Sequence, residues 1–169
     1  MTLDELNALD VAAAHRELLR CCGSSRWVAA VAARRPFASM DVLYRVADEV
    51  WWSLDGGDWL EAFSHHPRIG ERAAAGSWAR GEQSGMSQSS PQTARALAEG
   101  NRAYERRFGH VFLICATGKS ADEMLENLRG RLTNDPATEL RVAAKEQARI
   151  TQLRLGRLLQ PSPEASRRP

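Results

Sequence analysis

One stretch of this sequence reads as a β-strand. His110–Thr117, HVFLICAT, is continuous, apolar and of strand length, and Gly118 breaks it. A lone strand has no ladder partner and cannot build a sheet, so the rest of the chain must make its core from helices. The segment is expected to lie buried and extended. Its N–H and C=O groups then need partners other than a sheet ladder, and they can be offered to a polar ligand.

Helix signals punctuate the remainder. Leu3, Leu6 and Leu9 open a short amphipathic segment, and Asp10 stands where it can cap Val11–Arg20. Gly23 ends that helix. Ser24 or Ser25 begins another through Ala33, with Arg34–Arg35 expected as a solvated last turn before Pro36. Ser39 or Asp41 caps a helix carrying Val42, Leu43, Val46, Val50 and Leu54, whose apolar face Trp51 and Trp52 broaden. Asp55–Asp58 is a turn with a new cap, followed by a short helix through Trp59, Leu60 and Phe63. Residues 77–83 read as a capped turn of helix with Ser77 as the cap, and SQSSP (87–91) resets the chain.

A long helix is predicted from about Pro91 to Arg107, with Ala94, Leu97, Ala98 and Tyr104 on one stripe and Phe108–Gly109 closing it. Ser120 caps the next (Met124, Leu125, Leu128, Leu132). Asp135–Pro136 opens the last, which carries Leu140, Ala143, Ala144, Gln147, Ile150, Leu153 and Leu158. The prediction is an all-α, single-domain helical bundle of about seven to nine helices over residues 1–159, with one buried extended segment. Residues 160–169, QPSPEASRRP, are expected to be a disordered polar tail.

A net charge of +2 with 26% charged residues, over 169 residues, gives no footprint for nucleic acid. No apolar run approaches the length of a membrane span, and the polar start MTLDELNALD is not a signal peptide. Three cysteines, two of them adjacent (Cys21, Cys22, Cys115), make a poor disulfide framework and show no C-x-x-C spacing for zinc. Reduced thiols in a cytoplasmic protein are the expectation.

The stretch His65–Gln83 departs from this orderly punctuation. It starts with adjacent histidines, sets His66 against Pro67, turns at Gly70, and ends in Glu82–Gln83. A residue before proline is pushed out of the α region, so His66 is expected on bent backbone. Imidazole is the side chain whose unperturbed pKa lies near neutrality. A carboxylate at the far end of the same loop completes a minimal kit for proton transfer. Residue types alone stop there: a helical domain with a candidate His/Glu site.

Four blocks carry a resemblance further: HPRIG (66–70), EQSG (82–85), NRAYERRFGHVFLICATG (101–118), and RLTNDPATEL with EQARITQLRL (131–155). In this order and spacing they resemble the OHCU decarboxylase family, which acts on 2-oxo-4-hydroxy-4-carboxy-5-ureidoimidazoline in urate breakdown. The likeness runs from about Leu6 to Leu159. Arg68 stands where many members carry Asp or another residue, and a transthyretin-like hydrolase domain, fused in some relatives, has no counterpart in these residues.

The resemblance implies an all-α fold, a homodimer, a small-molecule substrate and a cofactor-free, metal-free decarboxylation giving (S)-allantoin. It assigns His66 as the catalytic histidine and Glu82 as its partner carboxylate. Pro67, Ala79, Arg80, Gly81, Glu82 and Gln83 match substrate-contacting positions, as do backbone groups of Ile114, Cys115, Ala116, Thr117 and Gly118. Arg154, in the closing LRL motif, is the candidate clamp for a carboxylate or ureido oxygen, for which its planar fork is suited. Two other readings compete: a non-catalytic helical adaptor that kept the fold, and a metal-dependent hydrolase using His65 and His66. Retention of both the HP and EQ pairs argues against the adaptor. The lack of H-x-H or H-x-x-x-H spacing argues against the metal.

Overall fold

The structure, a computed structural model, describes residues 1–70 and 78–160. The described chain is all-helical: nine α-helices and one 3₁₀ helix, with no strand among the described residues. That number falls within the predicted range. Its residues gather into two compact units, Met1–Glu61 with the chain from Ala148 onward, and Ala62–Gln147. The polar tail expected at 160–169 lies outside the described residues beyond Gln160, as does the expected cap Ser77.

The first unit begins with α1 (Leu3–Ala8), α2 (Val11–Cys21), α3 (Ser25–Ala32) and α4 (Met40–Ser53). Each starts at a side chain that accepts a backbone N–H left orphaned by the first helical turn: Thr2, Asp10, Ser24 and Ser39. Apolar stripes from these helices bury Leu6, Leu18, Trp27, Val31, Leu43, Val50 and Trp51. The indole N–H of Trp27 donates to the Ala47 carbonyl at 3.0 Å, so its polar edge is satisfied in the core. Trp52 behaves differently from its neighbour. It is 39% exposed and donates to Asp48, so only Trp51 of the pair joins the core.

Arg35 is also not the solvated residue expected. Its guanidinium donates to the Leu6 and Leu9 carbonyls at 2.8 and 2.7 Å, closing the C-terminus of α1, where the chain has no glycine cap. Arg34 does remain exposed, pairing with Glu49.

Helix α5 (Gly56–Ser64) follows the Asp55 turn, in which the Asp55 carboxylate accepts from Gly57 and Asp58. The second unit then contains α6 (Trp78–Glu82), the 3₁₀ helix Ser84–Gln88, α7 (Pro91–Phe108) and α8 (Ala121–Arg131), while α9 (Pro136–Leu158) begins in it. Ser120 caps α8 as predicted, in a full capping box with Glu123, and Ser90, within the SQSSP reset, caps α7. Gly109 takes the left-handed conformation that ends α7, φ 76°. The core of this unit joins Ile69, Leu97, Tyr104, Phe112, Ile114, Met124 and Leu128. The buried positions of α7 are Leu97, Asn101 and Tyr104, so the stripe runs through an asparagine and leaves Ala98 at the surface.

Residues 111–116 form no regular element, and Phe112, Leu113, Ile114 and Ala116 are all buried. The expectation of a buried segment without a sheet is met. Its backbone takes partners from helices. Arg131 donates to the Leu113 carbonyl at 2.6 Å, and the Cys115 N–H donates to Glu146 at 2.8 Å. Arg131 is itself held by the fully buried Glu139, at 2.6 and 2.8 Å, and lies 4.7 Å from the Phe112 ring centre. Tyr104 donates its hydroxyl to the same Glu139, whose other oxygen accepts from Asn134 at 2.8 Å. A buried charge is tolerable only when paired and hydrogen-bonded, and this cluster meets both conditions.

Candidate active site

The HP block follows directly from α5. The His65 and His66 amides still donate to the carbonyls of Ala62 and Phe63, so the helix unwinds through a last tight turn at the histidines. His65 is exposed and His66 half-buried, on bent backbone. Pro67 cannot continue a helix, and Ile69 drops into the core of the second unit. The buried Asn101 donates its amide to the Ile69 carbonyl at 2.9 Å and anchors the block from α7. Arg68 makes a two-point contact with Glu105, also on α7, at 2.5 and 2.8 Å, and holds that carboxyl below its ordinary range. Arg68 thus tethers the loop, a role its position after HP did not reveal.

Gly70 has φ 87°, which a side chain would resist, and its N–H donates to the Gln83 side-chain oxygen at 3.0 Å. This bond ties the HPRIG block to the end of α6. Ala79, Arg80 and Gly81 lie in α6 itself, and Glu82, its last residue, is only 7% exposed. Burial of Glu82 separates it from the solvated glutamate that its residue type alone would suggest. Residues 71–77 lie outside the described chain.

The third stretch, Ile114–Gly118, joins the same cluster. Burial lifts the Cys115 thiol above its ordinary value, and the Glu146 charge adds to this, with Glu82 acting in the same sense. Thr117 and Gly118 are exposed; Gly118, at φ 80°, shapes the turn in which the Lys119 N–H returns to the Ala116 carbonyl. Gly85 lies directly against this turn: a Cβ there would overlap the Lys119 carbonyl oxygen. The last glycine of EQSG therefore serves close backbone approach. Gly85→Ala is expected to part the two segments and lower stability by about 1–3 kcal/mol, the usual range for forced overpacking. Urea denaturation checks this, and an unchanged midpoint would show that the backbones separate freely.

The second unit thus gathers His66, Pro67, Glu82, Gln83 and the 114–118 backbone. Arg154 falls in the first unit, half-buried on α9, where its charge acts on the Cys21 and Cys22 thiols. Both thiols are fully buried, and burial pushes each up to about 12. They are inert packing groups. His110 is likewise a packing residue, set among Phe63, Tyr104 and Phe108, with burial holding its pKa below the ordinary value. Among the described residues no three His, Cys, Asp or Glu side chains are grouped so as to hold a metal ion. Sequence reasoning missed Asn101, Gly85, Arg131 and Glu146. All four stand inside the quoted motif blocks; Gly85 is marked there as a glycine, and Asn101, Arg131 and Glu146 as polar residues on otherwise apolar stripes.

Residues 7–156 match the family described as OHCU decarboxylase. The chain belongs to the OHCU decarboxylase family. A crystal structure of an OHCU decarboxylase in the presence of (S)-allantoin is 37% identical, with a TM-score of 0.77 over 85% of this chain and 96% of that one. The 2-oxo-4-hydroxy-4-carboxy-5-ureidoimidazoline decarboxylase of Amia calva is 34% identical over 78% of this chain and 79% of that protein. The uric acid degradation bifunctional protein TTL of Arabidopsis thaliana is 39% identical over 82% of this chain but only 45% of that protein. The chain spans between about a third and under half of the bifunctional relatives it matches. Of the blocks that carry the likeness to the OHCU decarboxylase family, HPRIG, EQSG and 101–118 lie in the second unit, and the closing block 131–155 runs from it into the first.

Proposed function

We propose that this chain is a carboxy-lyase converting 2-oxo-4-hydroxy-4-carboxy-5-ureidoimidazoline to (S)-allantoin in urate degradation, without a cofactor. The observation that carries the reading is the tie between the HP block and the EQ block. Gln83 holds Gly70, and Gly85 lies against the Lys119 carbonyl at the end of the 114–118 stretch, in a member of the OHCU decarboxylase family. The solved relative studied with (S)-allantoin, the proposed product, supports the same reading.

The chemistry needs little more than binding and proton control. The leaving carboxylate sits on a ring carbon beside a C=N bond. As CO2 departs, the bonding pair flows through that bond onto the ring nitrogen, which takes a proton. The enol that remains becomes allantoin when the ureido-bearing carbon is protonated and the hydroxyl gives up its proton to become a carbonyl. Protonation on one face sets the product's hand. His66 serves as the placed acid and Glu82 keeps it charged, since a nearby carboxylate favours imidazolium. Pro67, residues 79–83 and the Ile114–Gly118 backbone hold the substrate. Arg154 pairs with its carboxylate or a ureido oxygen.

A charge-assisted contact of this kind is worth about 1.5–3 kcal/mol. Arg154→Ala is therefore expected to raise KM roughly ten- to hundredfold with less effect on kcat. An unchanged KM returns Arg154 to a packing role in its own unit. The working assembly is proposed to be a homodimer in the cytoplasm, where the free thiols of Cys21, Cys22 and Cys115 stay reduced. The reading is tested by adding the protein to freshly generated substrate and following its decay by NMR. Decay faster than the spontaneous rate, unchanged by exhaustive EDTA dialysis, is expected. Decay at the spontaneous rate rejects the enzyme and favours an adaptor.

A further inference from the structure

Glu146 occupies none of the positions assigned to substrate, yet its carboxylate is nearly buried, 9% exposed, and is spent on the site's backbone. It accepts the Cys115 N–H at 2.8 Å. One peptide group earlier, Arg131 Nη1 donates to the Leu113 carbonyl at 2.6 Å. A carboxylate from α9 and a guanidinium from α8 therefore hold the two peptide units that flank Ile114.

Both peptides are trans, Arg35–Pro36 being the cis bond recorded among the described residues. In a planar trans peptide the N–H and C=O point in opposite directions. Drawing the Leu113 carbonyl to Arg131 turns the Ile114 N–H away from Arg131. Drawing the Cys115 N–H to Glu146 turns the Ile114 C=O away from Glu146. The two clamps thus fix where Ile114's own donor and acceptor point, while its side chain is buried and anchored. A cyclic ureide presents alternating N–H and C=O groups along its edge. One residue's oriented N–H and C=O are the complement of such an edge.

Resting on the decarboxylase reading, we propose that Glu146 is a positioning residue which, with Arg131, aims the Ile114 N–H and C=O at the amide edge of the ureide substrate. Glu146 acts through the peptide it holds and takes no part in proton transfer. Its nearness is also felt electrostatically: after burial, its charge is the largest influence lifting the Cys115 thiol.

The test compares Glu146→Ala with Glu146→Gln. The amide oxygen of glutamine can still accept the Cys115 N–H, whereas alanine leaves it without an acceptor. Two readouts are taken: kcat and KM for decarboxylation, and hydrogen exchange of the Cys115 amide by NMR, with the α8 amides as the control for global unfolding. Glu146→Ala is expected to raise KM about tenfold and to speed Cys115 exchange at least tenfold while α8 stays protected. Glu146→Gln should bring both close to the wild-type values. Should Glu146→Ala prove unfolded, the glutamine variant decides alone: wild-type KM and protection support the clamp, and loss of both overturns it. Glu146→Ala with wild-type KM and exchange also overturns it, as does a glutamine variant no better than alanine. A wild-type chain that decarboxylates nothing rejects the decarboxylase reading, and Cys115 exchange then judges the clamp by itself.

Discussion

His66→Asn and Glu82→Gln are each expected to slow turnover by about 10²–10⁴, the usual cost of removing a placed general acid or the group that sustains it. Pro67 pushes the backbone at His66 out of the helical region. Glu82 is held on the last turn of α6, with 7% exposure, next to the residue that pins Gly70. With Glu82 as its proposed partner, the imidazole is expected to carry the proton it donates, so the rate should fall as pH rises and the charged histidine is lost. Glu82→Gln should move that fall to lower pH. If the two act as one unit, the double variant is little worse than either single one. His65 supplies the comparison, being exposed, with its N–H bonded to the Ala62 carbonyl in the closing turn of α5. His65→Asn should keep most activity. An inactive His65→Asn beside an active His66→Asn would move the catalytic assignment by one residue.

The second large effect concerns stability. Arg131→Met is expected to lower the unfolding free energy by about 3–5 kcal/mol, the range for breaking a buried ion pair from one side. The methionine fills much of the same volume but leaves Glu139, fully buried, with its negative charge uncompensated. Tyr104 stays a neutral donor to that carboxylate, because burial raises its pKa well above the ordinary value, and it supplies no positive charge to replace the guanidinium. The Leu113 carbonyl loses its donor at the same time. Arg131→Met/Glu139→Leu should be much less damaging than the sum of its parts, since neither charge is then left alone. Guanidinium denaturation of the four proteins measures this. An Arg131→Met variant within about 0.5 kcal/mol of wild type, the usual range for surface changes, would show that water reaches Glu139.

The features legible in the sequence are those decided by neighbours along the chain. A helix start depends on a side chain three residues from the N–H it accepts, so Asp10, Ser24, Ser39 and Ser120 were readable. The buried segment at 111–116 was readable for the opposite reason: it was an apolar run with no second strand to pair with. Its partners were not. Arg131 and Glu146 reach Leu113 and Cys115 across separations of 18 and 31 residues, and their place on an apolar stripe does not say which backbone groups they meet. Arg35 was misjudged similarly. Its helix-end position suggests a solvated cation, whereas the carbonyls of Leu6 and Leu9 that it satisfies lie 29 and 26 residues away. The candidate site is marked in the sequence by the short blocks HPRIG and EQSG, which stand close together in the chain. The Gly70–Gln83 bond and the close approach of Gly85 to Lys119, which tie those blocks together, needed the fold.

The claim that this chain directs protonation to one face of the decarboxylated ring is tested most directly by the handedness of the allantoin formed. Urate, urate oxidase and hydroxyisourate hydrolase generate the substrate, with and without this protein, and the optical rotation of the product is followed. A large excess of (S)-allantoin, formed faster than in the control and lost with His66→Asn, is the expected result. A racemic product appearing at the control rate would contradict the account.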